Sequence, residues 1–313
     1  MRDIVGYLKS FIREDFNLFL YLYTGIFLLA AFFINYSLDF ESSILDKCFG
    51  KPHSYLYYIL YYAFPYFMVA LPVLIYNKNK GLTDRNFWIK SLVFISLIGI
   101  AAAFYSYESI SESYQLHNER FYVRKILINS KRLFLYIVPL IIMKLMYDRN
   151  QKGLYGLHFS KLKVKPYFLM LLIVFPLVLW ASFQQDFLHT YPKLKPWIFP
   201  EPFGMSKFSS TAVFEFFYVT DFVFVELIFR GALVIGLSSL LGKDVILPMV
   251  AAYAFLHFGK PMAEAISSIF GGYILGVIAL NTRNIIGGCI IHMGVAFMME
   301  LLAFFQYYAL GNH

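Results

Sequence analysis

The sequence predicts an all-α fold, a polytopic membrane helical bundle of about eight or nine transmembrane helices, and three observations carry that prediction. Of 313 residues, 59% are hydrophobic and 15% charged, where soluble globular chains carry roughly 25% charged residues. The apolar residues come in long runs without strand-like alternation. A helix needs about 17–25 of them to cross the hydrocarbon core and satisfies its own backbone hydrogen bonds there, whereas barrel strands alternate every second residue. Finally, Lys and Arg collect in short segments between the runs, the charge pattern of membrane loops.

The net charge of +8 therefore reads as attraction to anionic headgroups, with no nucleic-acid partner. The two cysteines, Cys48 and Cys289, make neither a disulfide framework nor a zinc-ribbon spacing.

The leader with Arg2, Lys9 and Arg13 precedes the run FNLFLYLYTGIFLLAAFFINY. That run is too long for a signal-peptide core and lacks a small-residue cleavage site, so it is expected to stay as the first span. Further spans are expected at about 55–76, 88–105, 133–147, 167–183, 211–241, 246–258, 262–280 and 285–308, after the first at about 17–36. The leader and the segments NKNKGLTDR and DRNQKGLYGLHFSKLKVKP are basic and are expected on one side, the cytoplasm. The mixed loop DFESSILDKCFGK belongs opposite. The charged segment SYESISESYQLHNERFYVRKILINSKR reads as a surface helix or as a plain connector.

A composition shift near Gly153 separates N-terminal transmembrane helices (1–152), poor in polar groups apart from Lys90 and Lys144, from a core (153–313) that holds the chemistry-bearing residues. The Pro-rich loop QQDFLHTYPKLKPWIFPEPFGMSK within it reads as an extended interfacial connector that could act as a lid.

Four ionisable residues lie in apolar runs of this second half: Glu226 and Arg230 in one, His257 at the end of the next, and His292 in the last. A charge near the bilayer centre costs roughly 2.5–3.5 kcal/mol on insertion scales, so such residues mark functional sites by default. Glu226 and Arg230 stand one helical turn apart in the favourable i,i+4 order. Glu215 and Asp221 lie on nearby stripes, giving this helix a partnered polar seam. Two imidazoles and a carboxylate suit general-base activation of water or metal ligation; no HExxH pattern is present to favour the metal. Ser268, Gly272 and Gly276 form a small-residue stripe that lets neighbouring helices approach closely.

With these residues in view, the chain resembles the CPBP intramembrane proteases, the Abi or type II CAAX-protease group. That pattern has a Glu-Glu pair, three residues, then Arg and often Gly; a second helix with Phe, three residues, then His; and a third with His, three residues, then Asn. Here the three read Val225-Glu226-Leu227-Ile228-Phe229-Arg230-Gly231, Tyr253-Ala254-Phe255-Leu256-His257 and His292-Met293-Gly294-Val295-Ala296. The match covers roughly residues 153–308. Val225 stands where relatives have their first Glu, and Ala296 where they have Asn.

The resemblance implies an intramembrane endopeptidase acting on a membrane-associated peptide or protein, as a multi-pass protein of the bacterial inner (cytoplasmic) membrane. By that resemblance a glutamate would activate water with the His257 imidazole, His292 would stabilise the oxyanion and Arg230 would orient Glu226. With Val225 at the first Glu position, helix spacing offers Asp221, one turn before it, or Glu226 itself as the carboxylate, and Glu300, two turns after His292, as a partner for that imidazole. No cofactor is expected, with a metal held by His257, His292 and a carboxylate as the open alternative. A general base contributes about 10²–10⁴-fold in rate and one oxyanion donor about 10²–10³-fold. Val225 and Ala296 therefore raise a rival, a non-catalytic scaffold that binds its partner in the same place. A proton- or ion-coupled transporter is a third reading, disfavoured by the lack of paired inverted halves.

Overall fold

In a computed structural model, which describes residues 2–78, 80–160, 163–198 and 201–311, the chain is a helical bundle. Among those residues there is no strand, only an isolated bridge between Leu154 and Leu157. Seven helical segments are long and apolar enough to cross a membrane, and Lys165–Ala181 is a shorter apolar helix. That is close to the eight or nine read from the runs. The segment Lys207–Phe255 contains two of the expected spans joined by a tight reversal, and Lys165–Ala181 accounts for another.

The helices begin with α1 (Arg2–Asp15), α2 (Leu18–Leu38), α3 (Ser54–Tyr76), α4 (Arg85–Ala103), α5 (Tyr107–Glu112) and α6 (His117–Tyr147). Then come α7 (Lys165–Ala181), α8 (Gln185–Thr190), α9 (Lys207–Glu226) and a π-helical stretch, Leu227–Ile235. The chain finishes with α10 (Ser238–Leu241), α11 (Ile246–Phe255), α12 (Met262–Thr282) and α13 (Ile286–Leu310). The charged segment read as surface helix or connector becomes the short α5 and the first turns of α6, which then runs on as one of the long apolar helices.

Local chemistry sets several boundaries. Asn17 opens α2 by accepting from the amides of Phe19 and Leu20 at 3.1 and 3.2 Å. Asp84 opens α4 through the Asn86 amide at 2.8 Å, and Ser206 opens α9 through the Ser209 amide at 3.2 Å. Each removes an orphan donor from a helix N-terminus.

Burial grades from rim to centre. Every residue of α11 and of the π stretch is buried, as expected of a helix apolar all round for α11, while the π stretch also buries the charged Arg230. By contrast α2 and α7 leave large apolar side chains such as Leu29, Phe33, Leu172 and Leu177 exposed, where lipid would cover them. The small-residue stripe of α12 is where α11 lies. A Cβ on Gly276 would stand 2.7 Å from Met249 Cε, and one on Gly272 3.0 Å from Tyr253 Cδ1.

Helices of the first half brace this centre. Lys90 of α4 pairs with Asp148 at 2.8 Å and also donates to the Gly236 carbonyl at the end of the π stretch. Tyr155 donates to the other Asp148 oxygen at 2.9 Å. The close approach of Tyr155 needs Gly231 and Gly236, whose Cβ atoms would meet its carbonyl at 2.8 Å and its ring at 2.9 Å. From α2 and α3, Tyr36 donates to the Lys260 carbonyl (2.9 Å), Asn35 to Phe258 (3.3 Å) and Tyr61 to Phe255 (3.3 Å). These bonds hold the turn that carries His257.

Candidate active site

The site forms where the end of α9, the start of the π stretch, the end of α11 and the middle of α13 meet. Glu226 and Arg230 are fully buried, both 0% exposed. One Glu226 oxygen, Oε1, serves two partners: Arg230 Nη1 at 3.0 Å and His292 Nδ1 at 2.9 Å. The contact to Arg230 is an ion contact rather than an aligned hydrogen bond, because no guanidinium nitrogen meets an acceptor in bonding geometry. The other oxygen, Oε2, has no hydrogen-bond partner and lies against the backbone of α13. A Cβ on Gly288 would stand 2.4 Å from it, so only glycine leaves room for the carboxylate.

Tyr253 ties the parts together. Its ring lies under the Arg230 guanidinium, 4.1 Å from centroid to Cζ, a cation–π arrangement that compensates a buried cation. Its hydroxyl is 3.4 Å from His292 Nε2, and its carbonyl accepts from His257 Nδ1 at 3.0 Å. Its ring also stacks edge-on against that of His257, with centroids 4.5 Å apart. Phe222 closes the other side of His292 at 4.4 Å.

Both neutral imidazoles therefore commit Nδ1–H, to a carboxylate and to a backbone carbonyl, and keep Nε2 as a lone-pair acceptor. His257 is buried, while the His292 side chain keeps 14% exposure. Among the described residues no group of three His, Cys, Asp or Glu side chains is arranged as a metal ion would require.

Of the residues singled out in the sequence, the structure thus brings together Glu226, Arg230, His257 and His292. It does not bring in two others. Asp221, expected to serve the site from a shifted height, is buried and ion-paired with Arg132 of α6; its stripe on α9 faces α6 instead of α13. Glu300, expected to partner the His292 imidazole, accepts the backbone N–H of Lys193 through both oxygens at 3.1 and 3.0 Å. It thereby pins the Pro-rich loop onto α13, beside Glu215 of α9, with whose carboxyl it interacts. Pro200 of that loop lies outside the described residues. Burial, then the charge of Lys260, pushes the Lys193 ammonium down to about 8.

The two departures from the family pattern have structural counterparts. Val225 lines a small cavity with Arg132, Tyr136 and Phe229. Ala296 is buried against Leu194, Phe214 and Tyr218.

The structure adds Arg132, which sequence reasoning did not assign to a site, and gives Tyr253, read there only as a motif position in place of Phe, contacts to Arg230, His257 and His292.

This arrangement is that of an integral, multi-pass membrane protein with an acid, a guanidinium and two imidazoles converging inside its core. Residues 207–298, which contain all four, match the family model described as type II CAAX prenyl endopeptidase Rce1-like. The region is therefore of the CPBP/CAAX-protease kind, the family read from its three motifs. No curated protein and no solved structure matches the chain.

Proposed function

We propose that this protein is an intramembrane endopeptidase, seated in a bacterial inner membrane, that hydrolyses a peptide bond of a membrane-associated peptide or protein. The observation that carries the reading is the 2.9 Å bond from His292 Nδ1 to Glu226, inside the region that matches a protease family. The carboxylate holds the imidazole in one tautomer and leaves Nε2 as the base, the logic of an acid-oriented histidine.

In this reading His292 Nε2 takes a proton from water, and the hydroxide attacks the scissile carbonyl. The Tyr253 hydroxyl donates to the oxyanion, a role that Ala296, at the position of the Asn in relatives, has no group to fill. The His292 imidazolium, stabilised by Glu226, returns its proton to the leaving amine. His257, with Nε2 free, accepts a hydrogen bond from the incoming water. Arg230 balances the charge of Glu226 and keeps it pointed at His292. Between α9 and α13 an apolar groove of about 760 Å³, lined by Phe208, Phe216, Phe297 and Leu301, suits the apolar flank of a membrane-borne substrate.

A second reading, a non-catalytic relative that binds such a partner without cutting it, draws support from Ala296, packed among Leu194, Phe214 and Tyr218 with no amide to offer. One experiment separates the two. The purified protein in liposomes is incubated with a library of membrane-inserting peptides, and new termini are read by mass spectrometry. Hydrolysis predicts cuts that vanish in His292→Ala and in Glu226→Gln. Retained peptide with uncut termini in the wild type supports the scaffold and overturns the protease.

A further inference from the structure

The geometry points to a binding site for the phosphate of an anionic phospholipid on the face of the bundle that carries the basic segments. This face lies at the far end of the helices from the Pro-rich loop. Here the leader helix α1, residues between Asn150 and Ser160 with Lys163, the start of α10 and the α12–α13 turn enclose a cavity of about 710 Å³. Among the described residues, three cations line it, Lys152, Lys163 and Arg283, and no Asp or Glu does.

The cationic wall is built and not a loose fringe. Arg283 ends α12 in the left-handed region at φ 53°, which turns its side chain toward Ser238. Its guanidinium donates to Ser238 Oγ at 2.6 Å. Its carbonyl accepts from His158 Nε2 at 3.2 Å. With Nε2 protonated, His158 Nδ1 accepts from Ser160 Oγ at 2.7 Å and from Asn284 Nδ2 at 3.3 Å. Asn284 also donates to the His158 carbonyl at 2.8 Å. The polar wall is thus fixed by hydrogen bonds before any ligand arrives.

The opposite wall is of different character. Ile4 and Tyr7 of α1, with Tyr167 at the start of α7, present apolar and aromatic surface. The helix α1 is amphipathic: Ile4 and Phe11 are buried while Lys9, Ser10 and Arg13 are exposed. It packs across α12, as interfacial helices lie on a bilayer surface. A pocket with a fixed cationic side and an apolar side, at the end of the long apolar helices, fits the phosphate and glycerol of a lipid better than a free anion. Basic pockets on this face of membrane proteins recognise anionic lipids.

The test is native mass spectrometry of the full-length protein released from nanodiscs of phosphatidylglycerol or of phosphatidylcholine. The variants are Arg283→Gln and the pair Lys152→Gln with Lys163→Gln. The proposal expects about one retained phosphatidylglycerol per chain, little retained phosphatidylcholine, and roughly five-fold weaker retention for each cation removed. Melting without lipid, unchanged in the lysine pair, separates lost binding from lost folding. Equal retention of both lipids, or unaltered phosphatidylglycerol retention in the lysine pair, overturns it. Displacement of the lipid by millimolar inorganic phosphate assigns the site to a free anion and overturns the lipid as well.

Discussion

Replacing Glu226 by Gln keeps the shape of the side chain and removes its charge, leaving Arg230 as an unbalanced cation in a fully buried position. At the 3.0 Å separation of the pair and an effective dielectric constant of about 20, the lost attraction is ~5 kcal/mol. Breaking a buried pair by removing one partner costs about 3–5 kcal/mol in comparable cases. The Tyr253 ring lies beneath the guanidinium with or without the carboxylate and so cancels from the difference. Glu226→Gln should therefore destabilise the protein by about 3–5 kcal/mol, and Glu226→Gln with Arg230→Met should recover most of that loss. Reversible unfolding in mixed micelles, monitored by tryptophan fluorescence, measures both. Cleavage assayed on the same samples should stay absent in the double variant, because a neutral amide no longer stabilises the imidazolium that His292 becomes. A single variant within 1 kcal/mol of wild type would mean that the guanidinium has another anion, and the account of this ion pair would be wrong.

Further outcomes follow from other contacts. Gly288→Ala places a methyl group 2.4 Å from Glu226 Oε2, so the carboxylate must move; a loss of about 1–3 kcal/mol and of any cleavage is expected in the same two assays. Lys90→Met or Asp148→Leu alone should each cost about 3–5 kcal/mol, and the pair together far less, in a double-mutant unfolding cycle. Glu41, packed over Gly259, has its carboxyl pushed up from 4.5 to about 8 by burial, then by Asp46 and Asp39. A value raised by folding stabilises fully below the ordinary carboxylate range and loses that contribution as pH climbs through about 8. Unfolding measured from pH 5 to pH 9 should show stability falling with pH, and Glu41→Gln should flatten that slope.

The spans were legible because lipid demands long apolar runs, and the runs are uninterrupted. The Glu226–Arg230 pair was legible because four-residue spacing places two side chains on one helix face whatever surrounds them. That the His292 and Glu226 helices meet was legible only through the motif order. The partners of Asp221 and Glu300 were not. Arg132 lies 89 residues from Asp221 and the Lys193 amide 107 residues from Glu300, and helical spacing says which face a residue occupies but not which helix faces it. The Lys90–Asp148 brace escaped for the same reason, at a separation of 58. The site role of Tyr253 was masked by numbers, since the chain has 25 tyrosines and many others, such as Tyr66 and Tyr136, are buried away from the site. The π stretch left no trace, because LIFRGALVI contains nothing that an ordinary α-helix would refuse.

That wider winding has a consequence for how the chain tolerates change. From Leu227 to Ile235 the backbone spends extra residues on its turns, closing with the Gly236 amide on the Gly231 carbonyl at 2.9 Å. Deleting a single residue between Ala232 and Ile235 would let the segment relax into a regular coil. The helix would then reach Gly236 with a different rise and phase, carrying the Gly236 carbonyl away from Lys90 and turning the glycine notch off Tyr155. The loop of slack in this one helix sets the phase between the floor of the site and the brace beneath it, so a shortening there should be far more harmful than a substitution.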